Sequence, residues 1–311
     1  MKTNSTKKFF SDSIFASMPG FISIFLSLFA IPIHLKFAGT THYGQYIFLH
    51  LISSLGLLLN LGIGKITSIN IAKNKNNNRI AYNGIKITLR NCSIVFILII
   101  FFYIANIFLN LIPQESLIIM AASILLTIFF VTLESIVVGN RIFQVLMFIN
   151  LLYYGCSFSI PSIFLFLQYY DYQIAFLGSL LIKLIVVLFS VIFLVKNNYI
   201  KFHKLKNYTK FKSAKWFSIS LLLIQIYDFA DKYLIKTILG PAALAIYYVP
   251  QQLSGKLTIL SKGFSAVLLP SISYTEQRKT QNNNLLITIK LFAFILPVIL
   301  FFLFYVFDSF L

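Results

Sequence analysis

The sequence has little charge and very few acidic residues. Only 11% of its 311 residues are charged, and 8 Asp or Glu face 26 Lys or Arg, which gives a formal net charge of +18. Soluble domains carry about 25% charged residues, whereas this chain is 59% hydrophobic with 34 Phe and 17 Tyr. This composition cannot build an aqueous surface, which excludes a soluble enzyme. The basic residues separate apolar runs, as in the loops of membrane proteins, so nucleic acid is not an expected partner.

Cysteine and histidine are also scarce. The two cysteines, Cys92 and Cys156, lie far apart in or beside apolar runs, so neither a disulfide framework nor a metal site is expected. The sequence has no Gly-rich phosphate loop and no paired-carboxylate motif, and isolated His34 and His50 do not indicate catalysis. We therefore predict no catalytic residue, no metal, no cofactor and no enzymatic activity.

Long apolar runs dominate the chain. A bilayer crossing needs about 20 predominantly apolar residues, and nine such segments are joined by short connections. We predict an all-α integral membrane protein with about nine transmembrane helices and an uncleaved first span. The predicted spans are 13–34, 43–64, 91–112, 117–138, 146–167, 174–195, 216–238, 243–268 and 288–308.

The distribution of basic residues predicts the orientation. Of the 26 basic residues, 20 lie on the side that holds the N-terminus and the loop at 196–215, against Lys36 and Lys236 near the opposite face. The positive-inside rule then puts the N-terminus in the cytoplasm and Gly240 on the opposite face of the membrane. The loop at 196–215 is interpreted as a topology anchor that also meets anionic lipid headgroups.

An internal repeat appears when the sequence is shifted along itself by 201 residues. Gly39 then aligns with Gly240, and a polar stripe on one helix face recurs in spans two and eight. In hydrocarbon such a stripe faces a water-filled cavity or other helices. The repeated stripe favours a shared cavity, and the alternative is that its hydroxyl and amide groups hold helices together. The two stripes are Tyr46, His50, Ser53, Leu57 and Asn60, and Tyr247, Gln251, Ser254, Thr258 and Ser261.

Six spans fit between the two copies, which is typical of transporters built from parallel halves. We predict that residues 1–200 form a first six-helix bundle and that residues 201–311 contain the first three helices of a second, parallel-repeat bundle. Two complete halves would contain about twelve spans in roughly 400 residues. The expectation is therefore that three spans are missing.

Span seven contains four charged residues. A charge at a helix centre costs about 2.5–3.5 kcal/mol on insertion scales, so this helix is not a lipid-facing anchor. Gln225, Asp228, Lys232 and Lys236 share one face, with Asp231 at its flank. Asp228 and Lys232 have the spacing of a structural ion pair. The alternative is a polar cavity in which protonation or ion binding is coupled to movement.

Other polar groups in the spans extend the predicted cavity. Lys183 lies near the middle of span six, too deep for easy snorkelling, while Glu134 lies close to a helix end and is expected to snorkel or to pair with a loop. Asp228 and Asp231 are the predicted coupling residues, for a proton or sodium gradient. The predicted substrate-cavity residues are Tyr46, His50, Lys183, Lys232, Tyr247, Gln251, Ser254 and Lys262.

Two sequence stretches carry a family resemblance. Residues 37–46, FAGTTHYGQY, with 59–64, LNLGIG, are similar to the signature between spans one and two of bacterial Wzx-type oligosaccharide flippases. Asp231-Lys232, with Gly240 and the LAIY at 244–247, resembles that family's aspartate-basic pair and its turn into span eight. The resemblance covers essentially the whole chain.

The resemblance implies the fold of the multidrug/oligosaccharidyl-lipid/polysaccharide (MOP) exporter superfamily, with two six-helix bundles around a central cavity. It also implies a function: flipping undecaprenyl-diphosphate-linked repeat units by alternating access for O-antigen (lipopolysaccharide), capsule or exopolysaccharide synthesis. The implied partners are this lipid-linked oligosaccharide, membrane lipids and other polysaccharide-assembly proteins. Three alternatives are a cation-coupled multidrug extruder, a membrane polysaccharide polymerase and an inactive remnant. The intramembrane lysines disfavour the extruder, and the short outer loops disfavour the polymerase.

Overall fold

The computed structural model describes residues 3–73, 77–109, 114–164, 171–200 and 214–256. These residues are almost entirely helical and include no strand, and five helical stretches among them are long and apolar enough to cross a membrane. The prediction of an all-α membrane fold is confirmed. The predicted span 288–308 and residues 257–268 lie outside the described residues. The helices are α1 (Thr3–Leu59), α2 (Ile63–Lys73), α3 (Asn77–Leu109), α4 (Gln114–Gly139), α5 (Phe143–Asn150), a π-helix (Leu151–Cys156), α6 (Ser157–Phe164), α7 (Tyr172–Lys196), α8 (Ala214–Leu239) and α9 (Pro241–Lys256).

Helix α1 contains predicted spans one and two, which meet at Gly39. Gly39 has φ 81° and ψ 168°, a conformation that essentially only glycine adopts without strain. The second segment of α1, residues 40–59, is about 30 Å long at 1.5 Å per residue, enough to cross a bilayer. Gly240, between α8 and α9, has φ 90°. Both glycines of the aligned pair thus have a positive φ. The segments related by the predicted repeat are called the first and second repeats below, and the end of the molecule marked by these two glycines is called the glycine end.

The helix boundaries differ from the predicted spans on the other side of the membrane. Helix α2 was not predicted, and α3 begins at Asn77 rather than at residue 91. Arg79, Lys86 and Arg90 lie in the added turns of α3. These turns extend beyond the apolar segment of about 20 residues that crosses the hydrocarbon core, so a search for apolar runs does not detect them. Apolarity therefore located the crossing but not the helix that extends from it.

The outer faces of α3 and α7 are apolar and exposed. Phe101 is 76% exposed on α3, and Ile185 and Ile192 are 61% and 63% exposed on α7. In water such continuous apolar faces would be unfavourable, whereas lipid tails accommodate them. Together with the five spanning helices, these faces make the chain a multi-pass membrane protein.

The fifth predicted span is divided by a π-helix. The π-helix lies between α5 and α6, and Pro161 lies inside α6. Tyr153, within the π-helix, is buried and stacks on Phe130 of α4 with ring centroids 3.6 Å apart. A π-helical turn shifts the register of side chains along a helix and is often found at functional sites. Here it occurs in the segment that brings Tyr153 against α4.

The two repeats meet in backbone contact near the glycine end. A Cβ atom added to Gly44 on α1 would lie 1.8 Å from the carbonyl oxygen of Pro241 on α9. Only glycine leaves room for this approach. Tyr43 and Tyr46 on α1 and Leu244 on α9 are fully buried in the same apolar cluster. The second segment of α1 and α9 therefore cross closely at this end.

Candidate functional site

Lys183 lies in a buried cluster of hydroxyl groups. Its side chain is on α7, and the residue is 5% exposed. The Nζ atom donates to Ser53 Oγ at 2.9 Å and to Ser123 Oγ at 3.2 Å, and the two serine oxygens are 2.5 Å apart. Helices α1, α4 and α7 are therefore joined through one ammonium group. The Lys183 cluster is defined as Lys183, Ser53, Ser123, Thr127 and Tyr153.

Aromatic rings complete the surroundings of Lys183. Its Nζ atom lies 5.6 Å from the ring centroid of Tyr153 and 5.8 Å from that of Phe176, within cation–π range. The Tyr153 hydroxyl donates to Thr127 Oγ1 at 2.9 Å. The His50 ring packs edge-on against Phe176 at 5.0 Å, and its buried Nε2 has no hydrogen-bond partner among the described residues. The cluster thus places one lysine and one histidine near a common ring.

The rest of the first polar stripe also faces helices of the first half. The Tyr46 hydroxyl donates to the carbonyl oxygen of Phe158 at 2.9 Å. Asn60 Nδ2 donates to the Ile128 carbonyl at 2.9 Å and to Thr132 Oγ1 at 3.0 Å, and its Oδ1 accepts from the Gly64 backbone N–H. These bonds join α1 to α4 and α6. At Tyr46 and Asn60 the stripe holds helices together, the alternative that the sequence left open.

A second cluster lies on α8 and α9. The Tyr247 hydroxyl donates to Asp231 Oδ2 at 2.7 Å, and Lys232 Nζ lies 3.6 Å from Asp231 Oδ1. Lys232 is 6% exposed, whereas Tyr247 is 39% exposed. These three residues are called the Asp231 cluster. The ion pair of Lys232 involves Asp231, at the flank of the polar face. Helix spacing had suggested Asp228 as the acidic partner, but the side chains of Asp228 and Gln225 lie outside the described residues.

Lys236 connects α8 to α1. Its Nζ atom lies 3.4 Å from the ring centroid of Phe48, which also approaches the ring of Tyr233 at 6.4 Å. Phe48 follows Gly44 by one helical turn, so this cation–π contact lies close to the crossing with Pro241. The contact adds a cationic group to the boundary between the two repeats.

The remaining sequence-predicted residues are only partly described. Gln251 is half-buried on α9, whereas the Ser254 side chain and all of Lys262 lie outside the described residues. Glu134 accepts a hydrogen bond from Asn150 Nδ2 at 2.8 Å, which joins α4 to α5. Within the described ranges no group of three or more His, Cys, Asp or Glu side chains could hold a metal ion.

Sequence reasoning missed the partners of Lys183 on α4 and in the π-helix. Ser123 and Thr127 are spaced four residues apart within an apolar span, so they lie on one helix face. That spacing was the available signal. It could not show which helix this face meets, because the packing partner of α4 is set by the tertiary fold.

The fold resembles solved transporters of the MOP superfamily. No family model and no curated protein matches the sequence. A crystal structure of a MATE mutant aligns with TM-score 0.63 and 19% identity over 94% of this chain and 71% of that chain. A MOP superfamily transporter from Pyrococcus furiosus, described as having a binding pocket of reverse polarity, aligns with TM-score 0.59 and 15% identity over 93% and 70%. An outward-facing multidrug resistance MATE family transporter aligns with TM-score 0.57 and 16% identity over 93% and 71%.

Identities of this size establish the fold alone. The chain therefore has the helical architecture of MOP superfamily transporters, and the proteins it resembles are transporters rather than enzymes. The Lys183 cluster lies among helices of the first repeat, while the Asp231 cluster lies on the first two described helices of the second repeat.

Proposed function

We propose that this protein is a membrane transporter of the flippase type, which moves an undecaprenyl-diphosphate-linked oligosaccharide between the leaflets of the bacterial plasma membrane. The lipid-linked oligosaccharide and the surrounding lipids would be its partners, together with other polysaccharide-assembly proteins. A gradient of protons or sodium ions would drive the step, with no bound cofactor.

The observation that carries this proposal is the lysine and aromatic surface of α8 and α9. Lys232 and Lys236 are one turn apart, and the Tyr247 hydroxyl and the Phe48 ring flank them. A diphosphate is an anion that cationic groups attract, and sugar rings pack on aromatic faces through their C–H groups. Lysines buried in a membrane helix are costly to insert and are typical of ligand or ion pathways.

The packing of α1 against α9 supports alternating access. Gly44 and Pro241 are in backbone contact at the glycine end, where the two repeats meet. Separation of these helices would open that end, and closure at the opposite end would complete the exchange. With the N-terminus in the cytoplasm, as the positive-inside rule predicts, the glycine end is periplasmic. The substrate would then enter from the cytoplasmic leaflet.

Substitution of Lys232 tests the substrate. We expect Lys232→Ala to weaken binding of an undecaprenyl-diphosphate oligosaccharide to the purified protein by about tenfold, the effect of losing one charge-assisted contact of about 1.4 kcal/mol. Lys232→Arg keeps the charge and should retain more binding. Lys36→Ala is the matched control, because Lys36 packs over its own neighbour Phe37 outside both clusters.

A double variant separates ligand binding from a structural ion pair. Asp231→Asn combined with Lys232→Gln removes both charges of the 3.6 Å pair together. If Lys232 only balances Asp231, this double variant binds the lipid-linked oligosaccharide as the wild type does. Such recovery, at equal amounts of folded protein, would contradict a role for Lys232 in substrate binding.

A second candidate is a cation-coupled multidrug extruder. The Asp231 carboxylate is 33% exposed and hydrogen-bonded to a tyrosine, an arrangement that could accept an organic cation. Under this alternative, Asp231→Asn would abolish binding of a cationic dye, and Lys232→Ala would strengthen it by removing a like charge. The opposite responses of the two variants discriminate the extruder from the flippase.

A further inference from the structure

Lys183 is a buried cation without an acidic partner among the described residues. Its contacts are two serine hydroxyls and two aromatic rings. From α1 it is faced by Ser53 and, across the Phe176 ring, by His50; from α4 by Ser123; and from the π-helix by Tyr153. Helix α6 contributes no titratable side chain. Helix α4 has two acidic residues: Glu134, two turns beyond Thr127, bonds Asn150, and Glu115 lies about two turns before Ser123 with a side chain outside the described residues.

The hydroxyl groups can serve both charge states of this lysine. An ammonium donates three hydrogen bonds and accepts none, whereas a neutral amine also accepts one. Serine hydroxyls donate and accept, so Ser53 and Ser123 can reverse the direction of their hydrogen bonds when the proton leaves. A carboxylate in their place would hold the charged form strongly. The two hydroxyl groups can therefore pair with Lys183 in both its charged and its neutral form.

The cluster is attached to the helix that makes the contact between repeats. Ser53 lies on the second segment of α1, nine residues after Gly44, or about 14 Å along the helix. A change in the hydrogen bonds of Ser53 alters how this segment is held against α4 and α7. The same segment bears the backbone contact with Pro241 at the glycine end. Lys183 is thus hydrogen-bonded to the same helix segment that makes the crossing with α9.

We propose that Lys183, with Ser53 and Ser123, is a proton-binding site in the first half of the protein that couples proton movement to the opening of the glycine end. The inference rests on the proposed transport function and assigns its coupling ion. On release, one N–H bond of the ammonium breaks, the proton passes to water, and the lone pair left on Nζ accepts a hydrogen bond from a serine hydroxyl. Uptake reverses this step, and no electron transfer is involved.

Cysteine labelling tests the site without any substrate. Cys156, at the end of the π-helix, and Cys92, on α3, are both free and half-buried. In a Cys92→Ser background, the rate of Cys156 labelling by a maleimide is measured from about pH 6 to about pH 8 in the wild type, Lys183→Gln and Lys36→Gln. Each labelling rate is divided by the thiolate fraction of Cys156 measured in the same protein, because loss of a nearby cation can itself change the thiol pKa. The ratio of these corrected rates between wild type and variant then isolates the conformational effect.

We expect the ratio of the corrected wild-type labelling rate to the corrected Lys183→Gln rate to change at least threefold across this pH range. The ratio of the corrected wild-type rate to the corrected Lys36→Gln rate should stay constant. A constant ratio for Lys183→Gln would overturn the proposal. Lys183→Arg, which remains charged, is the second variant. Its labelling rate divided by its thiolate fraction should not vary with pH. If Lys183→Arg keeps the pH dependence of the wild type, the proposal is also overturned.

Proteoliposomes separate this inference from the proposed function. With an imposed pH gradient and an undecaprenyl-diphosphate oligosaccharide, the wild type should transport the lipid. The rate of gradient-driven transport by Lys183→Gln, divided by the amount of lipid that this variant binds, should be at least tenfold lower than in the wild type. Gradient-driven transport by Lys183→Gln at the wild-type rate would overturn the coupling site while supporting the flippase. Absence of lipid binding by the wild type would overturn the flippase, and the labelling result would still decide the role of Lys183.

Discussion

Tyr46 and Tyr247 occupy the same position in the two repeats but lie in opposite environments. Tyr46 is completely buried, and its hydroxyl donates to a backbone carbonyl of α6. Tyr247 is 39% exposed, and its hydroxyl donates to the Asp231 carboxylate. The stripe of the first repeat thus holds helices together, whereas Tyr247 in the stripe of the second repeat bonds the charged carboxylate of Asp231. Repetition of residue type does not imply repetition of role.

The neighbouring helices explain this difference. Around Tyr46, α4, α6 and α7 surround the second segment of α1 and supply carbonyl and hydroxyl partners for the stripe. Around Tyr247, the described neighbours are α8 and α1. A side chain enclosed by several helices is bonded within the bundle, whereas one with fewer neighbours remains accessible to a ligand. Three pairs of substitutions can break or sharpen this contrast.

The largest effect is expected at the contact between the repeats. Gly44→Ala places a Cβ within 1.8 Å of the Pro241 carbonyl oxygen, and backbone atoms on both sides must shift. Overpacking of this kind costs about 1–3 kcal/mol, and a backbone clash is at the upper end of that range. A thermal unfolding scan in detergent should show the loss. Gly178→Ala is the control, because its Cβ would lie at an ordinary 3.7 Å from Pro161.

If Gly178→Ala destabilises the protein as much as Gly44→Ala does, the close crossing of α1 and α9 is not a feature of the stable protein. The contrast between Tyr46 and Tyr247 would then have to be explained by the packing within each repeat, without the contact between the repeats.

A smaller loss is expected from Asn60→Ala in the first stripe. The substitution removes bonds to the Ile128 carbonyl, Thr132 and the Gly64 N–H, all within the first half. Hydrogen bonds between membrane helices average about 0.6 kcal/mol, so three bonds amount to about 2 kcal/mol. Chemical unfolding in mixed micelles should measure this difference. Asn197→Ala removes an exposed bond within one helix and should change stability by less than about 0.5 kcal/mol.

If Asn60→Ala and Asn197→Ala lose equal stability, the hydrogen bonds of Asn60 in the first stripe contribute no more to stability than the exposed bond of Asn197. That outcome would contradict the packing role assigned to it.

The smallest effect is expected from removing the hydroxyl groups of Tyr46 and Tyr247, a change that compares the two tyrosines directly. Tyr46→Phe removes a buried hydrogen bond and leaves the Phe158 carbonyl without its side-chain donor, a loss of about 1 kcal/mol. Tyr247→Phe removes an exposed bond and should cost less than about 0.5 kcal/mol. The same pair of variants is then compared for binding of the lipid-linked oligosaccharide. Here the order should reverse, with Tyr247→Phe the more impaired.

Impaired binding in Tyr46→Phe at unchanged stability would contradict the division of roles. It would assign the first stripe to the substrate cavity that the repeat originally suggested.

The sequence predicted the parts of the fold that depend on local apolarity. The spans matching α4 and α7 agree with the helices to within a few residues, because a run of about 20 apolar side chains has no other stable place than the membrane. The paired glycines were also visible, since Gly39 and Gly240 aligned before their backbone conformation was known. In contrast, α2 and the polar turns of α3 carried no such signal.

By itself the sequence determined that the chain is a helical membrane protein and that lysines such as Lys183 and Lys232 lie within its helices. Only the tertiary structure decided the partners that Lys183 has on other helices. Helical periodicity gives the face on which a side chain lies, but the identity of the opposite helix depends on how all the helices pack together. For that reason Ser53 and Ser123 could be recognised as the partners of Lys183 only after the helices were assembled, whereas Asp231, the neighbour of Lys232 on α8, was already indicated by the family resemblance.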